Sequence, residues 1–384
     1  MSQREHIDAL LRRFAESGPV GCAMAVAQYG KTVYTGYAGF ADREAARPVG
    51  PETTYRLYSM TKLVTVTAGM ILYERGAFLL NEPLSLYLPE YAHMQVAVPD
   101  GQGRWTTVPA ERPITVGDCF AMTCGLPYRG GDSPTRIAIG KYDDALRANG
   151  CFTLRDFVRG LSKVPLAFEP GTRWAYGHGH ELVAALVEVL SGRAIGRFMK
   201  DEIFGPLGME HTGYRWQGDD GKNMAVLYRR NEEGALVPDR AADGDFAPDA
   251  TFEGGGHGLY ATLGDYLTFT QMLANGGTLK GTRILGRATI DLMRANRLGP
   301  GQLEDFTFPY VAGYGYGLGV RTMMDPAAGG SNTPVGEFGW TGAAGTWASI
   351  DPSHGFSAVY MHQMFPNMEE YHHLRARAAA YALL

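Results

Sequence analysis

The chain has 384 residues, of which 45% are hydrophobic and 20% charged, and its formal net charge is −5. That length exceeds one small core and fits one large domain or two closely packed ones. A negative balance with no Lys/Arg stripe argues against a nucleic-acid partner, and no apolar run reaches the length of a membrane span.

The first eighteen residues lack the apolar stretch of a secretory signal, so a cytoplasmic location is expected. Within them Ile7, Leu10, Leu11 and Phe14 recur on one helical face. Residues 22–44 then read as a hairpin, two β-rich runs around Tyr29-Gly30-Lys31. From Ser59 to Arg75 the residues Leu63, Val64, Val66, Ala68, Met70, Ile71 and Leu72 predict a largely buried helix, ended by Gly76.

Residues 81–254 change character, with Pro-rich loops and short helices such as 154–161 and 181–190. Asp265 to Ala274 predicts a helix with Tyr266, Phe269, Met272 and Leu273 inward. Near the end, 343–350 and 356–363 alternate as strands around the turn 351–355. A last helix follows over about 369–383. The pattern predicts an α/β plus α architecture: an antiparallel sheet flanked by N- and C-terminal helices, with an inserted, mainly helical domain. The expected division is 1–80 with 255–384 as the α/β domain and 81–254 as the helical one, the active site lying between them. Cys22, Cys119, Cys124 and Cys151 lack zinc spacing, and Cys119 and Cys124 read as small core residues.

Tyr58-Ser59-Met60-Thr61-Lys62 carries the chemistry. A serine hydroxyl is a poor nucleophile until a base takes its proton. On a helix, positions i and i+3 share a face, so Lys62 can reach Ser59. At the helix start, free backbone N–H groups stabilise developing negative charge. Burial lowers a lysine pKa, which makes a base of it. Alone, Ser-x-x-Lys is also the pattern of a capping serine and a surface lysine.

Further residues recur in a known order. Residues 53–62 and 79–90, the run Pro170-Gly171-Thr172-Arg173-Trp174-Ala175-Tyr176-Gly177-His178, the glycine-rich stretch 254–260 and Trp340-Thr341-Gly342 together resemble the class C β-lactamase superfamily. That family includes carboxylesterases, D-amino-acid peptidases, penicillin-binding proteins and some acyltransferases. The resemblance implies the serine β-lactamase fold, an acyl-enzyme on Ser59, and Lys62 and Tyr176 as the groups that move its proton. It implies an oxyanion hole from the backbone N–H groups of Ser59 and Ala343, with Thr341 and Gly342 against the substrate. His178 stands where the family usually has Asn, and either donates to substrate or packs as a loop histidine. Trp340 stands where Lys is usual, and so presents an apolar face instead of a cation. Met122-Thr123-Cys124-Gly125-Leu126 replaces the frequent His-Thr-Ser-Gly-Leu.

The absence of Gly-x-Ser-x-Gly disfavours the α/β-hydrolase fold. Neither His178 with His180 nor His372 with His373 has a matching carboxylate or Cys cluster, so no metal is expected, and no cofactor. The expected activity is a carboxylesterase acting on small neutral esters. The alternatives are a β-lactamase or D-peptidase acting on amides, an acyltransferase, and a non-catalytic binder that kept the fold. The expected partner is a small-molecule ester or amide, and the oligomeric state is left open.

Overall fold

The computed structural model describes residues 2–102 and 104–384. Its frame is an eight-stranded antiparallel sheet. The strands are β1 (Gly21–Gln28), β2 (Lys31–Asp42), β3 (Arg47–Pro48), β4 (Tyr314–Tyr316), β5 (Arg321–Met323), β6 (Phe338–Thr341), β7 (Trp347–Asp351) and β8 (Phe356–His362). Their order is β4-β5-β6-β7-β8-β1-β2-β3. The C-terminal meander β4–β8 thus meets the N-terminal hairpin across β8 and β1, with Cys22 opposite His362.

The central strand β1 is buried on both faces, and its alternation divides two cores. Cys22, Met24 and Val26 pack with Ile7, Leu11 and Phe14 of α1 (Gln3–Ser17). Ala23, Ala25 and Ala27 face the larger core, where small side chains let a helix approach the sheet. Ser2 and Glu5 close a capping box at the start of α1, worth about 1 kcal/mol.

The helix α2 (Thr61–Glu74) is buried at every residue from Thr61 to Leu72, as an apolar helix inside a large core must be. Between the sheet halves lie α3 (Val116–Ala121), α4 (Pro134–Ala148), α5 (Leu154–Leu161) and α6 (Gly179–Ser191), followed by α7 (Leu263–Ala274) and, last, α8 (Glu369–Tyr381). The stretch 81–254 also holds two hairpins. One pairs Gln95–Pro99 with Trp105–Pro109. The other, Leu227–Arg230 with Leu236–Asp239, adds to Met364–Phe365 beyond β8. Among the described residues no helix is long and apolar enough to cross a membrane.

One expected strand is shorter than the alternation suggests. The run 343–350 becomes a strand only from Trp347. Residues 342–346 instead form a turn, in which Gly345 N–H donates to Gly342 O (2.9 Å) and Gly342 N–H to Thr346 O (2.7 Å). The turn positions this part of the backbone beside the segment that carries Ser59.

Candidate active site

Ser59 sits in a single 3-10 turn, Tyr58–Met60, directly before α2. Tyr58 holds φ at 45°, a left-handed conformation that costs a non-glycine residue about 1–2 kcal/mol. Its neighbours are pinned on both sides. Leu57 N–H donates to Leu259 O at 2.9 Å, and Tyr266 Oη to Met60 O at 2.8 Å. Strain held this way is common where a reactive side chain must be presented.

Lys62 is fully buried, and its ammonium meets three acceptors: Ser59 Oγ at 3.1 Å, Tyr128 Oη at 2.9 Å and Gly256 O at 2.7 Å. Three donors and three acceptors leave no buried hydrogen unpaired. Burial pushes Lys62 down to about 7, although the Glu181 carboxylate opposes the fall. Near neutral pH, then, a substantial share of the amine is free to take a proton from Ser59.

Tyr176 lies across Lys62, its ring centre 4.7 Å from Nζ, and its hydroxyl accepts from Trp340 Nε1 at 2.9 Å. Burial raises Tyr176 well above the ordinary tyrosine range, against the hydrogen bonds of Ser59 and Trp340. The phenol is therefore protonated at neutral pH. Trp340 is buried against Tyr176, Phe306, Phe308 and Tyr316. Its ring is buried among aromatic side chains, with no cation at this position. Its N–H is in addition a fixed donor to the phenol, which the residue type alone did not indicate.

Tyr128 has no counterpart in the motifs read from the sequence. It arrives because Leu126–Tyr128 runs beside Tyr176–His178: His178 N–H donates to Leu126 O (2.8 Å) and Tyr128 N–H to Tyr176 O (3.1 Å). Gly177 permits this approach, since a Cβ there would strike Leu126 O. The signal was near at hand, two residues beyond the run 122–126. Glu181 was also missed, although a carboxylate on a helix otherwise rich in Leu, Val and Ala stands out. It is fully buried and accepts from Gly256 N–H at 3.2 Å. Burial would raise its carboxyl, but His257, His178 and Lys62 outweigh that and bring it to about 2.

His178 does not share the wall formed by the other residues. Its ring is packed between Tyr128 (4.6 Å) and Phe157 (5.2 Å), and neither ring nitrogen has a hydrogen-bond partner among the described residues. Burial lowers it to about 4, so it is a neutral ring behind Tyr128. Arg173 is held by Asp305. Thr341 ends β6, with its hydroxyl donating to Tyr310 Oη at 3.2 Å. Gly342 and Ala343 open the turn 342–346; Ala343 is exposed, and its N–H makes no hydrogen bond among the described residues.

Two cavities lie nearby, one reaching Tyr58 and the other Tyr128 and Tyr176. One, about 330 Å³, is lined by Tyr58, Phe152, Phe246, Phe252, His257 and Gly258. The other, about 550 Å³, is lined by residues including Tyr128, Arg136, Trp174, Tyr176 and Phe308. Both have aromatic walls, with charged side chains among them: Arg147, Asp245 and Asp249 in the first, Arg136, Arg173 and Asp305 in the second.

The family model described as Beta-lactamase matches residues 7–383. Protein Rv1367c of Mycobacterium tuberculosis is 30% identical over 376 residues, spanning 94% of this chain and 90% of its own length. Esterase EstB of Burkholderia gladioli is 29% identical over 361 residues, 89% of this chain and 85% of the esterase. The solved structure titled "EstCE1, a hydrolase with promiscuous acyltransferase activity" superposes with a TM-score of 0.82 at 23% identity, covering 99% of this chain and 98% of that one. At that identity the superposition shows the fold.

Proposed function

The chain belongs to the beta-lactamase family, and on that premise we propose that it is a serine carboxylesterase that acts on small neutral esters through an acyl-enzyme at Ser59. The observation that carries the reading is the hydrogen-bonded set Ser59–Lys62–Tyr128 beside Tyr176 and Trp340. Similarity to an esterase over most of both chains supports it.

In this reading neutral Lys62 takes the Ser59 proton as Oγ bonds to the ester carbonyl carbon. The oxyanion is received by the N–H groups of Ser59 and Ala343, each such donor contributing about 3–4 kcal/mol in the transition state. Collapse breaks the bond to the leaving alkoxide. The Tyr176 phenol, which lies over the Lys62 amine, gives its proton to that oxygen and takes the one on Lys62 in its place, releasing the alcohol. Water then attacks the acyl carbon, gives its proton back along the same path, and frees the acid and Ser59. An alcohol in place of water would make the same site an acyltransferase.

The test is labelling by a fluorophosphonate together with turnover of p-nitrophenyl butyrate. Ser59→Ala should lose both, leaving less than about 0.1% of the activity. Undiminished labelling of the variant would place the nucleophile elsewhere.

A further inference from the structure

Beneath the turn 342–346 lies a buried histidine cluster that the proposed reaction does not use. His362 ends β8, and His372 and His373 lie on α8. The ring of His362 is centred 5.0 Å from that of His372 and 6.3 Å from that of His373. All three are essentially buried, and clustered imidazoles in a core call for a reason beyond packing.

Their contacts converge on one residue. His373 Nε2 donates to Gly345 O at 3.1 Å. The His362 ring fills the space that a side chain at 345 would need, and Gly345 holds φ at 107°, a conformation open to glycine alone. Gly345 therefore lies against one imidazole and is bonded to another. The same turn is tied to the nucleophile segment from the other side. Thr346 Oγ1 donates to Leu57 O at 3.1 Å, two residues before Ser59. Met364 N–H donates to Ala344 O at 2.9 Å. Gln363, between His362 and Met364, bonds both backbone groups of Arg56, accepting from its N–H (3.2 Å) and donating to its O (3.1 Å). Segment 362–364 thus clamps the strand leading to Ser59 and the turn carrying Ala343.

We propose that His373, seated against His362, is a positioning residue for the reaction at Ser59: it sets the turn 342–346 so that the Ala343 N–H faces the same point as the Ser59 N–H. The inference rests on the acyl-enzyme reading above. A tilt of one peptide plane moves a donor out of reach of an oxyanion while leaving the ground-state ester unaffected, so the effect falls on the transition state. Burial brings His373 down to about 3, so at working pH the ring is neutral and its single N–H stays on Gly345.

Glutamine and asparagine at 373 separate the alternatives, because the Gln amide nitrogen mimics Nε2 whereas the Asn nitrogen falls short of Gly345 O. With p-nitrophenyl butyrate, His373→Asn should lower kcat about ten- to hundredfold with KM changed less than about threefold. Inhibition by phenylboronic acid, which forms a tetrahedral adduct on the serine, should weaken in parallel. His373→Gln should restore kcat to within about threefold of the wild type. Equal kcat for the two variants, or a loss confined to KM, overturns the proposal. Should His373→Asn fail to fold, Thr346→Val loosens the same turn from Leu57, and unchanged kcat and boronate inhibition in that variant overturn it. Failure of the underlying reading looks different: turnover would then survive Ser59→Ala.

Discussion

The proposed role of Lys62 as a base rests on burial, which brings it to about 7 while the Glu181 carboxylate holds it up. For the wild type, kcat/KM should therefore rise as pH rises through about 7, as the ammonium loses its proton. Glu181→Gln removes the charge that favours the ammonium and keeps an acceptor for Gly256 N–H. The limb should shift to lower pH, with the plateau reduced less than about tenfold. A pH profile of p-nitrophenyl butyrate hydrolysis reads this, and an alkaline shift contradicts it. Trp340 tests the phenol. Trp340→Phe keeps a ring but deletes the 2.9 Å donor to Tyr176, so kcat should drop about three- to tenfold at nearly constant KM. A change in KM alone would reduce Trp340 to a wall. At this scale the sequence was legible where partners are close in the chain. Ser59 and Lys62 are three residues apart, whereas Tyr128 and Gly256 reach Lys62 from 66 and 194 positions away.

At the scale of elements, the helices and sheet are joined by a few buried polar side chains as well as by apolar packing. Gln271 of α7 is the main example. Its Oε1 accepts from Gly30 N–H at 2.8 Å, in the turn between β1 and β2. Its Nε2 donates to Ala27 O and Ser357 Oγ, each at 2.9 Å. Gln271→Ala should destabilise the protein by about 2–3 kcal/mol, because several buried groups lose their partner at once. Chemical denaturation measures it, and kcat at 25 °C should stay unchanged because the contacts lie on the far end of α7 from Met60. The helix α1 was readable because its buried residues repeat with the helical turn, and α2 and α7 because their apolar residues are dense enough to be buried nearly all round. The run 343–350 was misleading. Alternation suggests a strand, but Gly342 and Gly345 close a turn before Trp347, and a local pattern does not reveal the His362 ring that requires glycine there.

For the whole molecule, the proposed preference for neutral esters turns on what the two cavities and the Tyr176–Trp340 pair offer to an anion. Arg173, the cation nearest Tyr176 in sequence, is engaged by Asp305, Arg136 in the larger cavity is turned onto the carbonyls of Tyr128 and Gly130, and Trp340 is neutral. A carboxylate at Trp340 would be desolvated without a partner there. Esters such as p-nitrophenyl butyrate should exceed a chromogenic cephalosporin in kcat/KM by about a hundredfold or more. Trp340→Lys should narrow the ratio, chiefly through the KM of the cephalosporin. Efficient opening of the cephalosporin by the wild type, with no ester turnover, would refute the preference and leave the Ser59 mechanism standing. The fold class, the order of motifs and the pairing of Ser59 with Lys62 at the start of α2 were determined by the sequence itself, since hydrophobic period and short spacing act through a few neighbouring residues. Only the tertiary structure decided that Tyr128 completes the lysine site, that His178 is packed behind it, that Trp340 donates to Tyr176 and that three histidines lie under the turn 342–346. Each of those contacts joins distant parts of the chain, and their geometry exists only once sheet, helices and inserted loops have closed around one buried amine.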